Sequence, residues 1–284
     1  MKNILLVILY NKQIVESSTL LSLSKSDYKG DVVIFNNGPL PVSNTCATLL
    51  AMKQDNRIVR IEEDLNNRPL SIIYNDFLEL IGYDNYFIFD DDTVIPNDFF
   101  SAKIRNNCQL SLPLILSEKT NIIHYPKING EPCNIDVLLV KDIDDVISIE
   151  SGLMIHRSLI DIFKKNHQKL FDEKFALYGV DYSLFRRISK LKSNDVKIKI
   201  DISGVLKHSL SSEENNVSSF RTRERLIDLI LNKIYYSEHG RLYNFLSIGK
   251  TIIEQILSMN IYNVFVIIRV LCHGQHPRIR QFKK

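Results

Sequence analysis

No apolar run in this 284-residue chain reaches the roughly 20 residues that span a bilayer, although Ile261–Cys272 comes nearest. The opening run Ile4–Tyr10 follows Lys2 and leads into Asn11-Lys12-Gln13 without a small-residue cleavage site, so it reads as a buried first strand and not as a leader. Cysteine is sparse: Cys46, Cys108, Cys133 and Cys272 lie far apart with no CxxC pair, which excludes a disulfide framework or a regular zinc site and fits a reducing cytoplasm. Excess charge is also small. Thirty-six Lys plus Arg against 33 Asp plus Glu leave +3, too mild to call for a nucleic-acid partner. Ten Gly and eight Pro beside 45% hydrophobic residues exclude a collagen-like or disordered chain and supply a sizeable core.

What is present is an alternation of short apolar runs and amphipathic stretches. Ile4–Leu9, Asp31–Phe35, Ile58–Ile61 and Tyr86–Phe89 read as strands, and Val15–Leu23, Val42–Met52 and Leu70–Leu80 place apolar stripes at helical spacing between them. This βαβαβαβ opening predicts an α/β fold with parallel strands, whose ligands gather past the strands' carboxyl ends. The residues there are Tyr10-Asn11, Asn36-Asn37-Gly38, Glu62 to Arg68 and Asp90-Asp91-Asp92. Further strands are expected at Gln109–Leu116, Ile135–Val140 and Ile149–Ile155, with helices at Leu159–His167 and Gly179–Arg187. The alternation of Val196–Ile200 suggests a half-exposed edge strand. A polar linker from about Ser211 precedes a helical segment, dividing the chain into a catalytic domain at 1–210 and a helical extension at 211–284.

Asp90-Asp91-Asp92 ends a strongly apolar strand, where carboxylates need a cation or several donors. Mg²⁺ or Mn²⁺ suits such oxygen ligands and shares them with substrate phosphates; a solvated acidic turn is the plainer alternative. Asp90-x-Asp92 fits the nucleophile loop of a haloacid-dehalogenase-like phosphatase, or the DxD metal site of a nucleotide-sugar glycosyltransferase. Three βα units precede it, whereas the phosphatase loop follows a first strand.

The flanking residues resemble those of the family 2 glycosyltransferases, which have the GT-A fold. Ile4-Leu5-Leu6-Val7-Ile8-Leu9-Tyr10-Asn11 looks like that family's first strand. Val32 to Gly38 looks like its second, with Asn36 in place of an Asp; Asn67-Arg68-Pro69-Leu70-Ser71 to Asn75 is similar to its Asn-Arg-Gly-x-Ser segment. Glu150-Ser151-Gly152-Leu153-Met154 resembles the acceptor-side strand, and Phe171-Asp172-Glu173 with Val180-Asp181 its Phe-Asp-Glu and Glu-Asp elements. The resemblance covers residues 3 to 210. It implies a metal-dependent, inverting transfer of rhamnose or a hexose from a dTDP- or UDP-linked donor to a saccharide or polyprenyl-linked acceptor, with a rhamnosyltransferase-like cast and a place in O-antigen or capsule polysaccharide biosynthesis.

The resemblance also implies roles. Asp92 ligates the metal, Asp90 binds metal or ribose, and Asp91 orients the loop at the nucleotide. Asp181 is the general base or, on position alone, a helix cap. His208 is a third ligand or a surface-loop histidine. Tyr10 stacks on the base or packs in the core, Asn36 accepts the base N–H, and Arg68 contacts phosphate or stands exposed. Arg221, Arg223 and Arg225 on the expected helix Phe220–Tyr236 meet a diphosphate-linked acceptor, an acidic lipid surface or only water. Ile261–Cys272 beside Arg278, Arg280, Lys283 and Lys284 fits either an interfacial helix on an anionic membrane or a helix against another subunit of a homo-oligomer. The expected location is cytoplasmic, peripheral at the inner face of the cytoplasmic membrane. A non-catalytic nucleotide- or carbohydrate-binding module is the rival that Asn36 and Val180 suggest.

Overall fold

The structure, a computed structural model, describes residues 1–53, 58–103, 108–210, 218–237 and 239–282. The chain divides into two compact units, one of Met1–Asn67, Asp76–Leu170 and Ile188–Glu213, the other of Arg68–Asn75, Phe171–Arg187 and Glu214–Lys284. The polar linker expected at 211–217 and the basic residues Lys283 and Lys284 lie outside the described residues.

The first unit is built on one sheet. Its strands are β1 (Asn3–Leu9), β2 (Asp31–Asn36), β3 (Val59–Glu63), β4 (Asn85–Phe89), β5 (Thr93–Val94), β6 (Leu110–Ser117), β7 (Ile123–Tyr125), β10 (Leu138–Leu139), β12 (Leu153–His156) and β13 (Ile200–His208). A separate small sheet pairs β8 (Lys127–Ile128) with β9 (Glu131–Pro132) and β11 (Val146–Ile147). The large sheet runs β10-β13-β6-β12-β4-β1-β2-β3. Its β3-β2-β1-β4 half is parallel, with Leu6 opposite Val33 on one side and Ile88 on the other. β12 is antiparallel to both β4 and β6. Every residue of β1 and β4 is buried, so both strands read as continuous apolar runs, as strands covered on both faces must.

The helices α1 (Ser18–Leu23), α2 (Ala47–Lys53), α4 (Phe99–Lys103) and α5 (Arg157–Lys165) belong to this unit. Ser17 caps α1 by accepting from the Leu20 N–H at 3.1 Å, which satisfies one of the helix's free donors. Phe87, Phe89, Phe99, Phe100 and Tyr28 pack mainly edge to face under β4, with Tyr28 and Phe100 tilted at centroids 4.7 Å apart.

Three local expectations need correction. Val196–Ile200 is not an edge strand: the strand begins at Ile200, runs to His208 and lies inside the sheet between β6 and β10, its alternating lead-in outside the ladder. Ile135–Val140 yields only the two residues of β10. Ile149–Ile155 begins instead at Leu153, after a turn in which Gly152 takes φ +84.

The second unit begins with the first six residues of α3 (Leu70–Leu78) and holds most of α6 (Gly179–Lys192), followed by α7 (Ser219–Tyr235), α8 (Arg241–Leu257), α9 (Ile261–His273) and α10 (Ile279–Phe282). Asn75 braces this unit from both sides of its amide, donating to Phe171 O at 2.9 Å and accepting from Phe171 N at 3.1 Å. Ile227, Ile230 and Leu231 on α7 are buried, as are Ile248 on α8 and Val266, Ile267 and Val270 on α9. Lys233 ties α7 to α8 through Ser247 at 2.8 Å, and Arg223 lies over the Tyr262 ring of α9 at 4.3 Å. Among the described residues no helix is long and apolar enough to cross a membrane.

Candidate metal and nucleotide site

The loops after β1, β2 and β3 are stitched together by their own backbones. Asn11 N donates to Gly38 O at 2.7 Å, Asn37 N to Leu9 O at 2.8 Å, and Asp64 N to Asn36 O at 2.9 Å. Gly38 makes the approach feasible: its φ is +86 and a Cβ there would stand 2.5 Å from Leu65 O.

The start of α1 holds the acidic loop from beneath. Ser17 Oγ donates to Asp91 O at 2.8 Å, Thr19 Oγ1 donates to Asp90 O at 2.5 Å, and Thr93 N donates back to Thr19 Oγ1 at 2.8 Å. With its carbonyls held from below, the loop presents its carboxylates in two directions. Asp91 turns to Lys12 Nζ at 2.5 Å and the Tyr10 N–H at 3.3 Å. Asp90 and Asp92 meet His208, and ligand atoms of the three lie within 4.8 Å of one another. Tyr10 itself is 45% exposed, so its ring is not in the core.

His208 ends β13, is buried and is no surface-loop residue. Its Nδ1 bonds Thr93 Oγ1 at 2.9 Å, and that hydroxyl bonds Ser151 Oγ at 2.6 Å, while Ser151 Oγ also accepts from the Asp90 N–H at 3.2 Å. The chain Ser151–Thr93–His208 fixes the imidazole and leaves Nε2 facing Asp90 Oδ2 at 3.9 Å. Nδ1 is also 3.2 Å from Asp92 Oδ1, yet that oxygen is buried with no hydrogen-bond partner, because Thr93 holds the Nδ1 bond.

The charges are unbalanced. Burial pushes the Asp90 carboxyl well above its ordinary range, and Glu150, Asp92 and Asp91 push it the same way. Asp92 is raised by burial against the opposing pull of His208. Burial lowers His208, against the pull of Asp92, Asp91 and Glu118. Two carboxylates, one with an orphaned buried oxygen, and a neutral imidazole form a donor set that fits a divalent cation, which takes oxygen and imidazole ligands, opposes the upward shifts of Asp90 and Asp92 and favours the same neutral imidazole that burial does.

Asn36 is buried and fully engaged on its nitrogen, donating to Leu40 O and to Glu63 Oε1, both at 2.8 Å, while its oxygen accepts from Gly38 N at 3.0 Å. Glu63 ends β3 and also accepts from the Val42 N–H at 3.0 Å; the bonds from Asn36 and Val42 hold its carboxyl below the ordinary range. Sequence reasoning missed Glu63 as a site residue. It stood in the strand-end stretch Glu62 to Arg68 without a role; that it lies beside Asn36 is visible only from the parallel register.

Arg68 and Asp181 fall in the second unit. Arg68 is half-buried just before α3, and Asp181 is the third residue of α6, its Oδ1 accepting from the Tyr182 N–H at 2.9 Å.

The mixed α/β architecture with its central sheet matches solved structures of one class. The fold is GT-A. S. aureus TarS 1–349 in complex with UDP superposes with a TM-score of 0.51 at 14% identity, over 86% of this chain and 68% of that one. The same fragment with UDP-GlcNAc gives 0.51 at 13%, over 86% and 69%. GalNAc-T7 with UDP, GalNAc and Mn²⁺ gives 0.52 at 12%, over 81% of this chain and 48% of that one. The chain spans 41% of TarS in another crystal structure and about half of GalNAc-T7. No protein-family model and no curated protein sequence matches the chain. A GT-A fold leaves the phosphatase alternative without its architecture, since Asp90 follows the fourth strand and not the first.

Proposed function

We propose that this chain is an inverting glycosyltransferase that moves a sugar from a UDP-linked donor to a hydroxyl of a saccharide acceptor. The observation that carries the reading is the convergence of Asp90, Asp92 and His208 beside an orphaned Asp92 oxygen, at the carboxyl end of the parallel strands of a GT-A sheet. UDP is favoured over dTDP because the similar structures contain UDP, UDP-GlcNAc and Mn²⁺.

Asp92, Asp90 and His208 would hold a divalent cation, which would supply positive charge to the leaving diphosphate. Tyr10 stacks on the base. The Asn36–Glu63 pair accepts the base N–H, Glu63 supplying the charge that Asn36 lacks. Arg68 contacts phosphate, and Lys12 keeps Asp91 turned away from the cation. Asp181 takes the proton of the acceptor hydroxyl as its oxygen bonds to the anomeric carbon, and the bond to the diphosphate breaks with its electron pair on the nucleotide. In this reading residues 1–210, Asp181 included, are the catalytic domain and 211–284 a helical extension that contacts the acceptor or a membrane surface.

Calorimetric titration of UDP and dTDP, with and without Mn²⁺, into the wild type and Asp92→Asn tests the donor site. Mn²⁺-dependent UDP binding lost in the variant supports it; absence of binding to either nucleotide overturns it. Incubation with UDP- and dTDP-linked rhamnose and hexoses then names the donor, and UDP release that survives Asp181→Asn removes Asp181 from its role. Binding without release in any mixture favours the non-catalytic module.

A further inference from the structure

The second unit carries an apolar surface that its own packing leaves open. At 100° per residue, α8 has two apolar faces. Ile248 and Thr251 lie on the buried one. Leu242, Phe245, Leu246, Ile253, Ile256 and Leu257 form the other, with Gly249 at its centre, and all six side chains are exposed, Leu242, Phe245 and Leu257 by 73 to 79%. α9 repeats the arrangement: Val266, Ile267 and Val270 are buried, while Ile261, Phe265, Ile268 and Leu271 are exposed on the opposite side. Met259, in the turn between the two helices, is 84% exposed. Soluble surfaces scatter such residues singly; here they line one face of a helix of about 25 Å, and the next helix carries a second such face.

Charge selects the occupant. From residue 239 to the end the sequence carries seven Lys or Arg and one acid, Glu254; Arg278 is taken up by Glu224, which leaves Arg241, Lys250, Arg269 and Arg280 as the exposed cations of the described part of this segment. Arg241 and Lys250 stand at the two edges of the α8 stripe, and Arg269 stands beside Phe265 on α9. Tyr243 and Tyr262, both exposed, add rings that suit a wet interface. A second copy packed on this face would set basic rims against each other with only Glu254 to answer, and Glu254 already lies 3.9 Å from Lys250. An anionic bilayer receives the apolar stripe and neutralises the rim in one geometry.

We propose that α8 and α9 together form a monotopic docking surface for an anionic lipid bilayer, with α8 as the principal contact. The surface extends well beyond the Ile261–Cys272 stretch that hydropathy singles out. It stands on the second unit alone and is independent of the glycosyltransferase reading.

The test is flotation of the full chain with phosphatidylcholine vesicles with and without phosphatidylglycerol, beside the double variant Leu246→Glu/Phe265→Glu. Both side chains are exposed, by 62 and 66%, so the variant keeps the wild-type melting temperature. The expected result is flotation with phosphatidylglycerol, much weaker flotation without it, and a drop of about tenfold or more in bound fraction for the variant. No flotation of the wild type, or equal flotation of the variant, overturns the proposal. So does a wild-type dimer in light scattering that becomes a monomer in the variant while neither binds vesicles, which assigns the face to a second copy. UDP titration of the same variant keeps this outcome separate from the donor site.

Discussion

Thr93→Val removes one hydroxyl from behind the acidic site and nothing else. The side chain is fully buried, with Ser151 Oγ at 2.6 Å and His208 Nδ1 at 2.9 Å. Valine keeps the shape and branching, so the change isolates the hydrogen bonds. Ser151 Oγ retains the Asp90 N–H at 3.2 Å, and His208 Nδ1 has Asp92 Oδ1 at 3.2 Å as its next partner. The loss is therefore one buried bond poorly replaced, about 1–2 kcal/mol, or a fall of roughly 2–6 °C in Tm. The re-pairing has a second effect. An Nδ1–H turned toward Asp92 occupies an oxygen that a cation uses, so Mn²⁺ affinity falls about 10–100-fold, the usual consequence of losing the group behind a ligating imidazole. Free Mn²⁺ measured by electron paramagnetic resonance during titration, with scanning calorimetry on the same samples, reads both effects. A lowered Tm with unaltered Mn²⁺ affinity refutes the claim that Thr93 aims His208; an unaltered Tm refutes the buried hydrogen-bond chain itself.

Gly38→Ala forces a Cβ into φ +86 and to 2.5 Å from Leu65 O, so urea unfolding should show a loss of about 2 kcal/mol or more, and a midpoint equal to wild type would contradict the turn. Glu224→Ala removes the buried carboxylate shared by Arg278 and His276, costing about 3–5 kcal/mol; limited proteolysis should cut the variant's C-terminal helices first, and an unchanged digestion pattern would speak against that network. Burial and the 2.6 Å bond to Asp31 raise the Tyr83 phenol from 10 to about 12. A folded-state pKa above the unfolded one means that this contribution is whole below pH 10 and is lost as pH rises from 10 to 12. Tyr83→Phe should flatten that alkaline decline in stability, and identical declines in both proteins would count against the buried pair. Lys12→Met frees Asp91 from its closest cation; since Lys12 is 36% exposed, the stability cost stays under about 1 kcal/mol, while UDP titration should show weakened Mn²⁺-dependent binding.

Local pattern was enough for the parallel half of the sheet. β1, β2 and β4 are uninterrupted apolar runs because both faces of the sheet are covered, and a run of that kind is visible without knowing its neighbours. The same logic located Tyr10, Asn36 and the three aspartates, since the end of a parallel strand is where a loop leaves the core. Pattern failed where strands are short or neighbours decide: the Val196–Ile200 alternation pointed to an edge that β10 in fact covers from Ile200 onward.

The sequence by itself determined the βαβαβαβ opening, the strand-end acids and the small net charge, because periodicity, composition and strand ends are local properties. Only the tertiary structure decided that His208 stands against Asp90 and Asp92 and is aimed by Ser151 through Thr93, residues brought together across 115 positions by the pairing of β13 with β5. It also decided that Glu63 backs Asn36 across the β2–β3 register, and that one apolar face of α8 is left uncovered. The physical reason is common to all three. Which side chains meet, and which apolar stripe finds a cover, depends on strand order and helix packing, and those are fixed by the chain as a whole.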